Sequence, residues 1–221
     1  MMANPWDSIF INDFQSAYKI ADQNYSTTYQ TFDLRARAIS SFLQDDYGKA
    51  LIDFLLLNDI EHEANRVSDG TYLDIGLCYY AMEKIEEALG YFKYPVENSK
   101  LMKYTSDISV PGCILFYLAI KLNRSDILKI ATKELKKRKL TIPSFLLGQR
   151  SESDLNKMWE EQTHEILKNR KECKVEFYKA VKGLQDGQVE KYQAHLNRCV
   201  ALKGNYLEFE YYLARVEQSK L

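Results

Sequence analysis

Three histidines and four cysteines are the residues of this chain best suited to metal, acid–base or redox chemistry. Metal ligands must converge, so a zinc site shows as His or Cys at short repeated spacings such as H-E-x-x-H or C-x-x-C. His62, His164 and His195 form no such pair with one another or with a cysteine. Cys78, Cys113, Cys173 and Cys199 stand far apart beside apolar or aromatic neighbours, the setting of reduced core thiols. Glu61-His62-Glu63 has the donor types for a weak metal site, but adjacent residues on a helix do not face one way. Glu160 and His164 lie four apart, as a surface pair does. There is no P-loop, no G-x-G-x-x-G and no G-x-S-x-G. No carboxylate sits in an apolar run that would raise its pKa for acid catalysis. No catalytic residue, metal or cofactor is therefore expected. An enzyme whose groups assemble from distant positions stands as the third reading.

The elements that would hold such residues are helices. Prolines number four and glycines nine in 221 residues, and both are depleted from the periodic segments, which points to an all-α chain. Asp7 caps a helix expected to run to about Asn24, with Trp6 stapling its entry, and 25–31 reads as a polar loop. Helices follow near 32–44 and 47–58, then a loop around His62 to Asp69. From Tyr72 to Phe92, two apolar stripes (Ile75, Gly76, Tyr79, Met82/Ile85; then Ala88, Leu89, Phe92, Val96) flank Glu83-Lys84, too short for anything but an antiparallel turn. Pro95 to Ser109 collects Pro, Asn, Ser and Asp and marks a boundary. Helices resume from Pro111, with a turn at Asn123-Arg124-Ser125 and a run of cations from Lys133 to Lys139 suited to a helix C-terminus. Residues 141–150 read as an apolar linker, and Ser151 with Asp154 as a capping box. Residues 151–185 make one long helix or two end to end, with Trp159, Ile166 and Leu167 on the buried stripe. Asp186-Gly187 turns the chain into two last helices, near 189–202 and 206–216.

Tyr72, Ile75, Gly76, Tyr79, Ala88 and Phe92 follow without gaps the aromatic, aliphatic, Gly, Tyr, Ala, Phe order that this hairpin shares with the tetratricopeptide repeat, which it resembles. Small residues at Gly76 and Ala88 let two helix backbones approach, with aromatic rings packed around the crossing. Leu34, Ala38, Ala50 and Phe54 form a weaker upstream copy, in which Arg37 and Ser41 replace the expected Leu and Tyr. The resemblance implies an all-α fold of about ten helices, stacked as antiparallel hairpins in a short α-solenoid. The expected organisation is tetratricopeptide-like hairpins over 1–97, continued in the same array by helical hairpins over 98–221; by charge the first part is acidic and the second basic.

Charge is segregated along the chain. Residues 1–110 hold nine Lys/Arg against seventeen Asp/Glu, a balance of −8, and residues 111–221 stand at +7. An acidic half attracts a basic partner and repels phosphates, so nucleic acid is not expected there. No apolar run reaches the length of a membrane span, and the opening MMANPWDSIFINDF lacks a basic stretch followed by an apolar one. The expected compartment is the cytoplasm.

A second resemblance lies in Phe177 to Leu196, FYKAVKGLQDGQVEKYQAHL, which is similar to the all-helical immunity proteins of bacterial polymorphic-toxin loci. It implies a non-enzymatic protein that binds and silences a cognate toxin. The alternative is a tetratricopeptide-type adaptor with a peptide in its groove. Its groove positions would be Arg35, Ile39, Phe42, Leu73, Leu77 and Tyr80, mostly apolar and unlike a carboxylate clamp. For a basic partner the expected contacts are Asp45, Asp46, Asp53, Asp59, Glu61 and Glu63, then Glu83, Glu86 and Glu87. These are two acidic clusters that stacking would align. Arg35, Phe42 and Tyr80 join them as groove contacts.

Overall fold

The computed structural model describes residues 3–105 and 109–220 of the chain. The expected boundary stretch at 95–109 therefore runs partly into residues 106–108, outside the described ones. The described residues form thirteen α-helices and no strand beyond one isolated bridge, Ser68 to Tyr104. The chain divides into two compact units, Met1–Ser106 and Asp107–Leu221.

The first unit contains α1 (Pro5–Phe10), α2 (Phe14–Thr28), α3 (Thr31–Leu43), α4 (Tyr47–Glu63), α5 (Asp69–Ala81) and α6 (Ile85–Glu97). Each helix packs on the next, and α1 also reaches α3. The expected first helix is in fact two. Asn12 takes a left-handed φ of 64°, and Asp13 then caps α2 by accepting from the Ser16 N–H. The polar run expected as a loop, 25–31, is helical as far as Thr28. The hydroxyls of Ser26, Thr27 and Thr28 donate to carbonyls four residues back, so their polarity is satisfied within the helix. α4 likewise runs past 58 to Glu63 and carries His62 in its last turn.

The second unit contains α7 (Val110–Lys121), α8 (Ser125–Lys137), α9 (Thr141–Leu146), α10 (Glu152–Glu160), α11 (Glu165–Gln185), α12 (Val189–Ala201) and α13 (Phe209–Gln218). Here packing is not only neighbour on neighbour: α11 touches α7, α9, α10, α12 and α13. α7 is apolar almost all round, and Val110 through Ala119 are buried. The stretch expected as a linker, 141–150, contains the short α9, whose Ile142, Phe145 and Leu146 are buried. The capping box forms as expected, with Ser151 Oγ accepting from Asp154 N–H and Asp154 Oδ2 accepting from Ser151 N–H. The helix that follows breaks at 161–164. Ile166 and Leu167 are consequently exposed, not part of the buried stripe, and Glu160 ends α10 while His164 stands in the break as the N-cap of α11, so the two do not share a helix.

One turn recurs in five hairpins. After α1, α3, α5, α7 and α11 the second residue past the helix end is left-handed: Asn12, Asp45, Glu83, Asn123 and Gly187, with φ between 54° and 71°. Its N–H and that of the next residue return to the helix carbonyls, as in Asp45 to Phe42 (3.0 Å) and Asp46 to Ser41 (3.0 Å), or Glu83 to Tyr80 (3.1 Å) and Lys84 to Tyr79 (2.9 Å). This doubly bonded ending satisfies orphan carbonyls, and the next residue starts the following helix at once, so the two helices run antiparallel.

The central hairpin packs as its spacing predicts. A Cβ on Gly76 would stand 2.9 Å from two atoms of the Phe92 ring, and Phe92 is fully buried. The departure at Arg37 also has a reason. Its guanidinium grips both Asp53 oxygens (2.9 and 2.7 Å) and Asp22 (2.6 Å), tying α3 to α4 and α2. A leucine there would leave Asp53 buried without its cation.

Candidate partner-binding surface

The acidic residues singled out from the sequence do not form one stripe. Asp45 and Glu83 occupy the same left-handed position in successive hairpins, and Glu86 and Glu87 open α6 beside the second turn. Asp46 caps α4, accepting from Lys49 N–H, and its carboxyl is held below its ordinary range by that residue. Asp59, Glu61 and Glu63 lie at the other end of α4, about 20 Å from Asp46 at 1.5 Å per residue.

Five of the expected contact residues are used inside the fold. Asp53 is buried against Arg37. Phe42 and Tyr80 are buried, at 3% exposure each, as are Ile39, Leu73 and Leu77, so the expected apolar groove is not an open one. Arg35 donates to Asp74 Oδ2 and to Thr71 Oγ1, both at 2.8 Å, and so ties α3 to α5. Thr71 Oγ1 passes the chain on to Glu61 Oε1 at 2.9 Å, and Glu61 Oε2 accepts from Ser68 N–H at 3.2 Å. Glu61 is thus half-buried, and burial raises its pKa. Burial also outweighs the Arg35 cation at Asp74 and lifts its carboxyl to about 6. A pocket of about 370 Å³ opens beside Glu61, lined also by Thr31, Ile60, Arg66, Ser68 and Tyr104.

Between the two acidic ends runs a row of rings, of which the sequence singled out Tyr72 and Tyr79 only as packing residues of the hairpin and Tyr91 and Tyr94 not at all. Tyr79 stacks on Tyr91 at 5.4 Å, Tyr91 lies 6.1 Å from Tyr72, and Tyr72 stacks on Tyr94 at 4.5 Å. His62 Nε2 and the Tyr72 hydroxyl are 2.8 Å apart at the α4 side. Tyr79, Tyr91 and Tyr94 are half-buried, with ring surface left to solvent. One end already holds a cation, since Lys84 Nζ sits 6.0 Å from the Tyr79 centroid. Asp59 is near enough to push the Tyr91 hydroxyl up, after burial and Tyr79. Asp59, Glu63, Glu83 and Glu87 are exposed and make no side-chain hydrogen bond or ion pair among the described residues. Ile52 and Leu56 add exposed apolar area one and two turns before Asp59 on α4. Aromatic faces framed by carboxylates attract basic side chains, because the ring quadrupole and the carboxylates act in one sense. The clustering of tyrosines at 72, 79, 91 and 94 was the available signal, but half of it overlapped the core pattern of the hairpin.

The second unit has assembled side chains of its own. His195 Nδ1 meets Glu176 Oε2 at 2.7 Å, and Lys179 Nζ meets Glu176 Oε1 at 3.0 Å. These partners outweigh burial and hold Glu176 below its ordinary range. Among the described residues no hydroxyl or thiol hydrogen-bonds to His195. Tyr192 donates to Glu217 at 3.0 Å, with Lys121 on the same carboxylate at 2.9 Å, a buried polar tie between α7, α12 and α13. Among the described residues no three His, Cys, Asp or Glu converge as metal ligands, and no helix is long and apolar enough to cross a membrane. No family model and no curated protein matches the chain.

Proposed function

We propose that this is a non-enzymatic protein-binding protein whose first unit takes a basic partner protein. The observation that carries it is the tyrosine row of α5 and α6, framed by the unpaired carboxylates of Asp59, Glu63, Glu83 and Glu87. Arginine and lysine side chains of a partner would lie on the half-exposed rings while their charges meet the flanking acids. The resemblance at 177–196 supplies the biological form of this reading: an immunity protein of the cytoplasm that occupies and silences a basic toxin domain. Helices α3 to α6 are then two stacked units of a tetratricopeptide-like array, a view supported by their neighbour-on-neighbour packing and shared turn. A groove-binding adaptor is less favoured, because five of its six groove positions, all but Arg35, are buried.

The test is the association rate with the product of the adjoining gene. Changing Asp59, Glu63 and Glu87 together to Lys should slow association at least tenfold at low salt, within the 10–10³ range of electrostatic steering. The difference should shrink as salt shortens the Debye length to about 8 Å and below. Unchanged rates, together with loss of binding on substituting Lys136 to Lys139, would move the interface to the second unit and refute the reading.

A further inference from the structure

Two cysteines that are 26 positions apart in sequence meet inside the second unit. Cys173 Sγ of α11 and Cys199 Sγ of α12 are 3.2 Å apart, and both residues are fully buried. Neither belongs to a C-x-x-C, and the pair arises from the way α11 and α12 lie together. A Cβ on Gly183 would stand 3.1 Å from Tyr192 N, so the backbones are close near the Gly187 turn, and the helices stay packed down to the two thiols. A disulfide needs its sulfurs at about 2.05 Å, so closure calls for roughly 1 Å of relative sulfur movement.

We propose that Cys173 and Cys199 are a disulfide site, closed by a small-molecule disulfide oxidant of the glutathione class, which staples α11 to α12. Position sets the order of events. Cys173 sits in mid-helix beside the buried run from Val175 to Val181. Cys199 lies two residues from the end of α12 at Ala201, where opening of one turn exposes it. The Cys199 thiolate attacks one sulfur of the oxidant, forms a mixed disulfide and expels the first thiolate. On reclosure the Cys173 sulfur attacks Cys199 Sγ, forms the protein disulfide and expels the second. The two protein protons leave on the two thiols released, so the protein loses two hydrogens and the oxidant gains them. Burial raises the Cys173 thiol, with further push from Cys199, Glu210 and Glu208, so the closed pair reacts slowly and opening governs the rate. The staple restricts the unfolded chain over the loop from 173 to 199 and raises the melting temperature.

The purified full chain is incubated with oxidised glutathione at mildly alkaline pH, and its peptides are mapped without reduction beside a sample kept in reductant. The expected product is a Cys173–Cys199 link, a whole-chain mass lower by two hydrogens, free Cys78 and Cys113, and a melting temperature several degrees higher that returns on reduction. Cys173→Ser should stop at a glutathione adduct on Cys199, and Cys199→Ser should leave Cys173 unmodified. If either variant fails to fold, the map and melting shift of the unaltered chain decide. Recovery of four free thiols, a link between any other pair, or a link that leaves melting unmoved overturns the proposal.

Discussion

Gly76 and Gly90 make a matched pair of glycines for measuring the central crossing. Both lie inside helices, α5 and α6, and neither takes a left-handed φ. Alanine at either site therefore gains the same helix propensity, about 1 kcal/mol over glycine. Their surroundings differ. A Cβ at Gly90 meets nothing within 4 Å, whereas one at Gly76 stands 2.9 Å from Cδ1 and Cε1 of Phe92 and 3.1 Å from Cζ. That ring is 0% exposed and has no solvent to move into. Gly90→Ala should accordingly stabilise the protein by about 0.5–1 kcal/mol. Gly76→Ala should bear an overpacking cost of about 1–3 kcal/mol against the same gain, so it should come out neutral to about 2 kcal/mol destabilised. Gly76→Leu should be worse. The assay is urea unfolding followed by far-ultraviolet circular dichroism, with the midpoint compared at unchanged m. Trimming the ring with Phe92→Leu in the Gly76→Ala background should recover part of the loss, a coupling that a double-mutant cycle reads directly. If Gly76→Ala proves as stable as Gly90→Ala, the ring does not hold that crossing closed and the packing argument fails.

Arg37→Leu, which restores the repeat-like residue, should cost about 3–5 kcal/mol, because it strands the buried Asp53 carboxylate. Adding Asp53→Leu should return much of that in the same urea assay, and no recovery would show that the ion pair is not what the arginine supplies. Asp74 titrates at about 6 in the fold against 3.8 as its ordinary value, so the native state holds the proton more tightly and stability falls as pH rises from about 4 to about 6. Asp74→Asn should flatten that fall by on the order of 2–3 kcal/mol, read as the change in urea midpoint between the two ends of the window. An unaltered pH slope would mean that Arg35 keeps the carboxyl ionised throughout. Tyr91→Ala should weaken binding of a basic partner by about 0.5–2 kcal/mol while leaving its salt dependence in place, since it removes a ring face and no charge. Titration calorimetry at two salt concentrations separates that outcome from a loss of steering.

The helices and most of their hairpins are legible in the amino-acid sequence, because helical periodicity and turn chemistry are local. Gly76 with Phe92, Ser151 with Asp154, and the turn at Asp186-Gly187 each depend on residues close along the chain, and each stands where its spacing puts it. Local rules failed where a side chain had a choice of partners. The hydroxyls of Ser26 to Thr28 bond back to their own helix instead of opening a loop, and the apolar Ile166 and Leu167 remain exposed because the helix breaks before them. The acidic candidates show the same division more sharply. Asp59, Glu63, Glu83 and Glu87 remain free surface charges, while Asp53 is taken by Arg37 and Glu61 by Thr71 and Ser68. In sequence these carboxylates are alike. What separates them is the rotation of each helix about its axis, which aims one acid at a cation on a neighbouring helix and the next at solvent. The same rotation sets the tyrosine row of α5 and α6, the His195–Glu176 pair and the contact of Cys173 with Cys199. Composition and spacing therefore determined that the chain is helical and that its first half is acidic. Only the packed structure decided which charges are spent inside and which are left at the surface, because the cost of burying a charge depends on groups from distant segments that meet only on folding.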